Sequence, residues 1–96
     1  MKTVGDIIKQ WRLKNKMSST LFLQKMKEAG ESISGGYLTF IELHGATPSP
    51  PLINTIAKVI QVDVKKLRKI VIEQKINRYR ASVTAYYEKK FFKFIE

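Results

Sequence analysis

The sequence predicts an all-α fold of five helices, the last of them long. Apolar residues recur at spacings of three and four along nearly the whole chain, and no stretch alternates apolar with polar as a half-buried strand would. Ser, Thr, Gly and Pro interrupt that pattern at places suited to helix caps and turns.

Thr3 opens the first helix as N-cap, with Asp6 three residues on in a capping-box-like pairing, and Val4, Ile7, Ile8 and Trp11 form its inner side. It ends near Asn15 or Lys16. Ser18 or Ser19 caps a second helix carrying Phe22, Leu23 and Met26, and Gly30 after Ala29 supplies a left-handed stop. Ser34 caps a short third helix with Tyr37, Leu38 and Ile41 inward. His44, Gly45 and the cluster Pro48, Ser49, Pro50, Pro51 prevent its continuation, which puts His44 in a loop. Ser49 caps a fourth helix with Pro50 in its first turn, where a missing N–H costs nothing. Leu52, Ile53, Ile56, Ala57, Val59 and Ile60 make this the most buried helix. From Asp63, a further cap, to Glu96 there is neither Gly nor Pro, so one long helix or two abutting ones fill the last third.

Ninety-six residues suffice for one modest core and not for two. With no Cys, neither a disulfide framework nor a thiolate metal site can form, which points to a reducing compartment. The first residues carry no signal-like lead-in and no stretch is long and apolar enough to span a bilayer, so a soluble, cytoplasmic, nucleoid-associated protein is expected. Eighteen Lys and Arg oppose eight Asp and Glu, a formal charge of +10. Such a chain attracts polyanions: nucleic acid first, an anionic membrane or an acidic protein next. The excess falls on both sides of Val62, on apolar-patterned segments and not on a disordered tail.

A set of pieces between Val4 and Leu67 resembles the helix-turn-helix domain of the phage repressor and Cro (Xre) type. They are Val4-Gly5 followed by Ile8 and Arg12; Ser18 opening the second helix; Tyr37-Leu38 with Ile41-Glu42; Pro48 and Pro50-Pro51; Ile56-Ala57-Lys58; and Val62-Asp63 with Leu67. Their order and spacing carry the likeness. It implies a λ-repressor-like DNA-binding domain over 1–67 and a helical extension over 68–96. It also implies a structural ion pair between Arg12 and Glu42. The third helix is then the one laid in the major groove of double-stranded DNA, with Gly35, Gly36, Thr39 and Phe40 facing the base edges.

Here the chain departs from the pattern. Bidentate readers such as Gln, Asn or Arg are missing from those four positions, and Gly35 and Gly36 weaken a helix start by up to about 1 kcal/mol each relative to Ala. Close backbone approach to DNA, with Thr39 and Phe40 supplying methyl contacts, is one reason for them. Lapsed base reading, or a flexible turn into a packing helix, are others. Ser19 stands where the family has a phosphate-contacting glutamine, and Leu23 where it has a small alanine, which suggests a wider crossing of the two helices. The connection from Lys27 to Ile33 is also long for the family. Phosphate contacts are expected of Ser19, Lys14, Lys16, Lys25 and Lys27, and also of Arg68 and Lys69. His44, the one histidine, has no Cys or suitably spaced acid beside it, so neither a metal nor another cofactor is expected.

In the last third, Ile72, Ile76, Tyr79, Val83 and Tyr86 follow the heptad rhythm of a helix-helix seam, extended by Tyr87, Phe91, Phe94 and Ile95. A helix from Val64 to Ile95 is about 48 Å long, whereas a compact 62-residue body has a radius of gyration near 11 Å. Either the helix folds back or it pairs with a second chain. The resemblance favours a homodimer, since repressors of this fold meet palindromic half-sites as pairs. Arg78, Arg80, Lys89, Lys90 and Lys93 interleaved with Tyr86, Phe91, Phe92 and Phe94 could instead form a membrane-surface helix, although no membrane partner is the expectation.

Enzyme signatures are missing, from phosphate loop to nucleophile with matching base. The expected function is a sequence-specific transcription regulator, a repressor, bound as a dimer to a short palindromic operator. The alternative is an interaction protein on the same scaffold, with its basic surface on an acidic protein or on DNA without sequence preference.

Overall fold

A computed structural model describes the backbone of residues 2–95 and the side chains of residues 2–90. Five helices follow one another: α1 (Val4–Lys14), α2 (Ser19–Glu28), α3 (Gly35–His44), α4 (Pro50–Ile60) and α5 (Val64–Ile95). No strand occurs among the described residues, and the last third is one unbroken helix. No helix among them is long and apolar enough to cross a membrane.

Local hydrogen bonds explain the helix starts. Thr3 Oγ1 accepts from the Asp6 N–H, and the Asp6 carboxylate accepts from the Thr3 N–H, closing a full capping box. Ser18 and Ser34 accept from Leu21 and Tyr37 in the same way. Asp63 Oδ1 takes the Lys65 N–H as α5 begins. Ser49 corrects the expected pattern: it stands at the N-cap of α4, yet its side chain makes no cap bond. Pro51 at the second helical position removes one of the two donors a cap oxygen can use. Helix ends reverse the chain through left-handed residues. Gly30 and Gly45 do so at no steric cost, whereas Lys16 (φ 53°) and Gln61 (φ 58°) adopt the same conformation without being glycine. His44 is the last residue of α3 and not a loop residue, because the reversal comes one position later, at Gly45. Lys27 lies on α2, which runs to Glu28, so the connection to α3 is shorter than the Lys27 to Ile33 span.

The core joins Val4 and Ile8 of α1, Phe22 and Met26 of α2, Leu38 and Ile41 of α3, and Leu52, Ile53, Ile56, Ala57 and Ile60 of α4 to Leu67 of α5. As expected, α4 gives the most buried face. α1 crosses α3 so closely that a Cβ on Gly5 would lie 2.0 Å from the Ile41 carbonyl oxygen. Only glycine fits there.

Gln74 ties α5 to the rest. Its side chain is 5% exposed; Oε1 accepts from the Val4 N–H at 3.0 Å, and Nε2 donates to the Gly45 carbonyl at 3.3 Å. Arg78, one turn on, donates to the same carbonyl. α5 thereby satisfies one orphan donor at the start of α1 and the carbonyl just past the end of α3. The compact part of the molecule extends past Leu67 to Arg78. Beyond it α5 projects, and the molecule measures 58 × 25 × 22 Å.

Candidate nucleic-acid interface

α3 is held from behind and bare in front. Leu38 and Ile41 are buried, Tyr37 is half-buried, and Gly35, Gly36, Thr39 and Phe40 are all exposed, as are Leu43 and His44. The Thr39 hydroxyl donates back to the Gly35 carbonyl at 3.0 Å, so its hydrogen is spent on the helix. Phe40 is 59% exposed, its ring tilted against His44 with centroids 5.4 Å apart. Carbon therefore dominates the outer surface of α3.

The glycines are the informative residues. Neither has a positive φ, and both lie in the first turn of a regular helix, which removes the flexible-turn explanation. A Cβ on Gly35 would sit 3.8 Å from Leu23 Cδ1, an ordinary contact, and one on Gly36 would meet only Ser34 Oγ at 3.9 Å. Leu23 thus faces a position with no side chain, and an alanine there would meet it at ordinary contact distance. Nothing within the chain requires glycine at 36.

Arg12 and Glu42 form the expected pair. Nε and Nη2 donate to Oε2 and Oε1 at 2.8 and 2.6 Å, with side chains only 11% and 8% exposed. Arg12 Nη1 also donates to the Met17 carbonyl at 3.2 Å, so one guanidinium links α1, the α1–α2 turn and the end of α3. The hydrogen bonds to Glu42 raise the Arg12 pKa further above its ordinary value.

Ser19, Lys14, Lys16, Lys25 and Lys27 are all exposed. Lys14 and Lys16 precede the start of α2, beside Ser19. Lys25 borders a shallow groove with Glu28, Ala29 and Val59 of α4, which places it on the α4 side of α2. Arg68 donates to Asn54 Oδ1 at 2.8 Å, and Lys69 is exposed. Of the seam residues, Ile72, Ile76, Tyr79 and Tyr86 are exposed and Val83 is half-buried. The side chains of Phe91, Phe92, Lys93, Phe94 and Ile95 lie outside the described residues. Among the described residues, no three His, Cys, Asp or Glu side chains gather as a metal site would require. Gln74 and Gly5 were not distinguishable in the sequence as the residues that set α3 in place.

Comparison with known protein families, curated proteins and solved structures finds no match.

Proposed function

We propose that this protein binds double-stranded DNA as a regulator of the helix-turn-helix kind, with the outer face of α3 in the major groove and α2 across the backbone. The observation that carries the reading is the bare start of α3, where the chain itself makes no demand for glycine at 36. A helix start without side chains lets backbone come close to an external surface, and its N–H groups favour anions. The +10 charge and the exposed Lys14, Lys16 and Ser19 supply phosphate contacts. The Thr39 and Phe40 side chains suit thymine methyl groups. A palindromic operator needs two copies of α3 about 34 Å apart, brought together on the DNA.

The apolar outer face favours a second reading, in which α3 docks on a protein and the charge binds DNA without sequence preference. Selection from a random duplex pool at physiological salt separates the two. Regulation requires a site bound about 10³-fold or more above random duplex, with discrimination reduced by Thr39→Ala and Phe40→Ala. Gly36→Ala should stabilise the fold by up to about 1 kcal/mol and weaken DNA binding. An isotherm that is salt-steep but sequence-blind, and unchanged by Gly36→Ala, overturns the regulator reading.

A further inference from the structure

The middle of α5, from Ile72 to Tyr86, carries an apolar seam with a basic border. With Ile76 and Val83 at a positions, Ile72, Tyr79 and Tyr86 fall at d, on the side of the helix away from Gln74 and Arg78. The flanking e and g positions hold Glu73, Lys75, Arg80, Ser82, Tyr87 and Lys89, and the seam closes where the Lys90 ammonium stands 5.6 Å from the Tyr86 ring centroid. At its other end, Ile72 borders a groove of about 290 Å³ formed with Pro48, Pro50 and Ile53, which Arg68 and Lys75 also line.

A second copy is a poor occupant. In a parallel pair, g contacts the e position of the next heptad, so Lys75 meets Arg80 of the other copy. Arg68 would meet Glu73, but it is already engaged with Asn54. In antiparallel pairs, setting Val83 opposite Tyr79 makes Arg80 face itself and Lys75 face Lys89, whereas setting Ile76 opposite Tyr79 pairs Glu73 with Arg80 but brings Arg68 against Lys89. Neither orientation escapes like charge. The d positions are also unsuited to self-pairing: two-stranded parallel coils favour Leu at d, whereas Tyr79 and Tyr86 each bring a hydroxyl that wants an acceptor.

We propose that the α5 seam pairs with an acidic amphipathic helix of another protein, one with an apolar heptad face bordered by Glu or Asp. Such a helix turns Lys75, Arg80 and Lys89 into complementary contacts and gives the tyrosine hydroxyls carboxylate acceptors. The pairing is independent of DNA recognition, and its test contains no DNA.

The full chain is titrated, by fluorescence anisotropy, with a labelled synthetic peptide of about three heptads bearing Leu at a and d and Glu at e and g. A scrambled peptide of the same composition and a version with Lys at e and g serve as controls. The chain alone should sediment as a monomer at micromolar concentration. It should bind the acidic heptad peptide one to one, at least about tenfold tighter than either control. Ile76→Lys, at an exposed site, should abolish that preference although it adds positive charge. Lys75→Glu with Arg80→Glu should transfer the preference to the lysine peptide. Equal binding of the scrambled peptide, or no binding of the acidic one, overturns the proposal. So does a self-associated chain that Ile76→Lys dissociates.

Discussion

Removing Glu42 while keeping Arg12 leaves a guanidinium 11% exposed in a site built for a bidentate partner, holding only the Met17 carbonyl. Breaking a fully buried pair from one side costs about 3 to 5 kcal/mol. The remaining exposure and the Met17 contact bring the expectation for Glu42→Leu to about 2 kcal/mol. Arg12→Met should cost a similar amount, since Glu42 is then the stranded charge. The double variant replaces a charge pair with apolar groups of comparable size and should lose only about 1 kcal/mol, giving a strong favourable coupling between the two positions. For a domain of this size about 4 to 8 °C of melting temperature accompanies each kcal/mol, so each single variant should melt about 8 to 16 °C lower. Urea unfolding followed by circular dichroism supplies the cycle. Additive effects, or single losses under about 0.5 kcal/mol, would show that the pair is a surface contact in energetic terms and that α3 is oriented by packing alone.

Three further outcomes follow from the same geometry. Gly5→Ala would place a methyl group against the Ile41 and Glu42 backbone, which cannot move without separating α1 from α3, so a loss of about 3 kcal/mol or more in urea stability is expected. Gln74→Leu leaves the Val4 N–H without its partner and should cost about 1 to 3 kcal/mol, with hydrogen exchange accelerated at Val4 relative to the α4 core. The Thr3 N–H, above all, holds the Asp6 carboxyl below its ordinary value of 3.8, so its contribution is present above that value and lost as pH falls through the lowered one. The stability difference between the natural chain and Asp6→Asn should therefore be constant near neutrality and vanish under strongly acid conditions.

Most of the architecture was legible because helix caps act locally. Thr3, Ser18 and Ser34 each accept a backbone N–H three residues on, a relation visible in the order of residues. Ser49 reads the same way but makes no bond, although Leu52, three residues on, carries its N–H, so this exception is not visible in the order of residues. The Arg12–Glu42 pair was reached through a resemblance of motifs, since no local rule connects residues that far apart. Gln74 escaped notice for that reason: within α5 it is one polar residue among many, and only the approach of Val4 and Gly45 distinguishes it. Arg78 likewise read as one of the cations of a basic amphipathic helix, although its guanidinium serves Gly45. At the candidate interface, the spacing marked Tyr37, Leu38 and Ile41 as inward, but the outward placing of Gly35, Gly36, Thr39 and Phe40 came from the resemblance, since exposed Phe40 and Leu43 are as apolar as the buried side. Whether Gly35 and Gly36 serve the backbone, the packing or an outside surface depends on the space around them.

Because α5 is unbroken, the stripe that grips the domain (Leu67, Gln74, Arg78) and the stripe that stays outside (Ile76, Tyr79, Val83) share one rigid screw. Their phase is set by counting residues. One residue inserted after Arg78 turns everything beyond it by about 100° and advances it about 1.5 Å, whereas seven restore the azimuth to within about 20° at a shift of about 10 Å. Whatever binds the tip of α5 is therefore presented at a fixed bearing to α3, and only insertions or deletions close to a whole number of turns, such as about seven, eleven or eighteen residues, leave that bearing nearly unchanged.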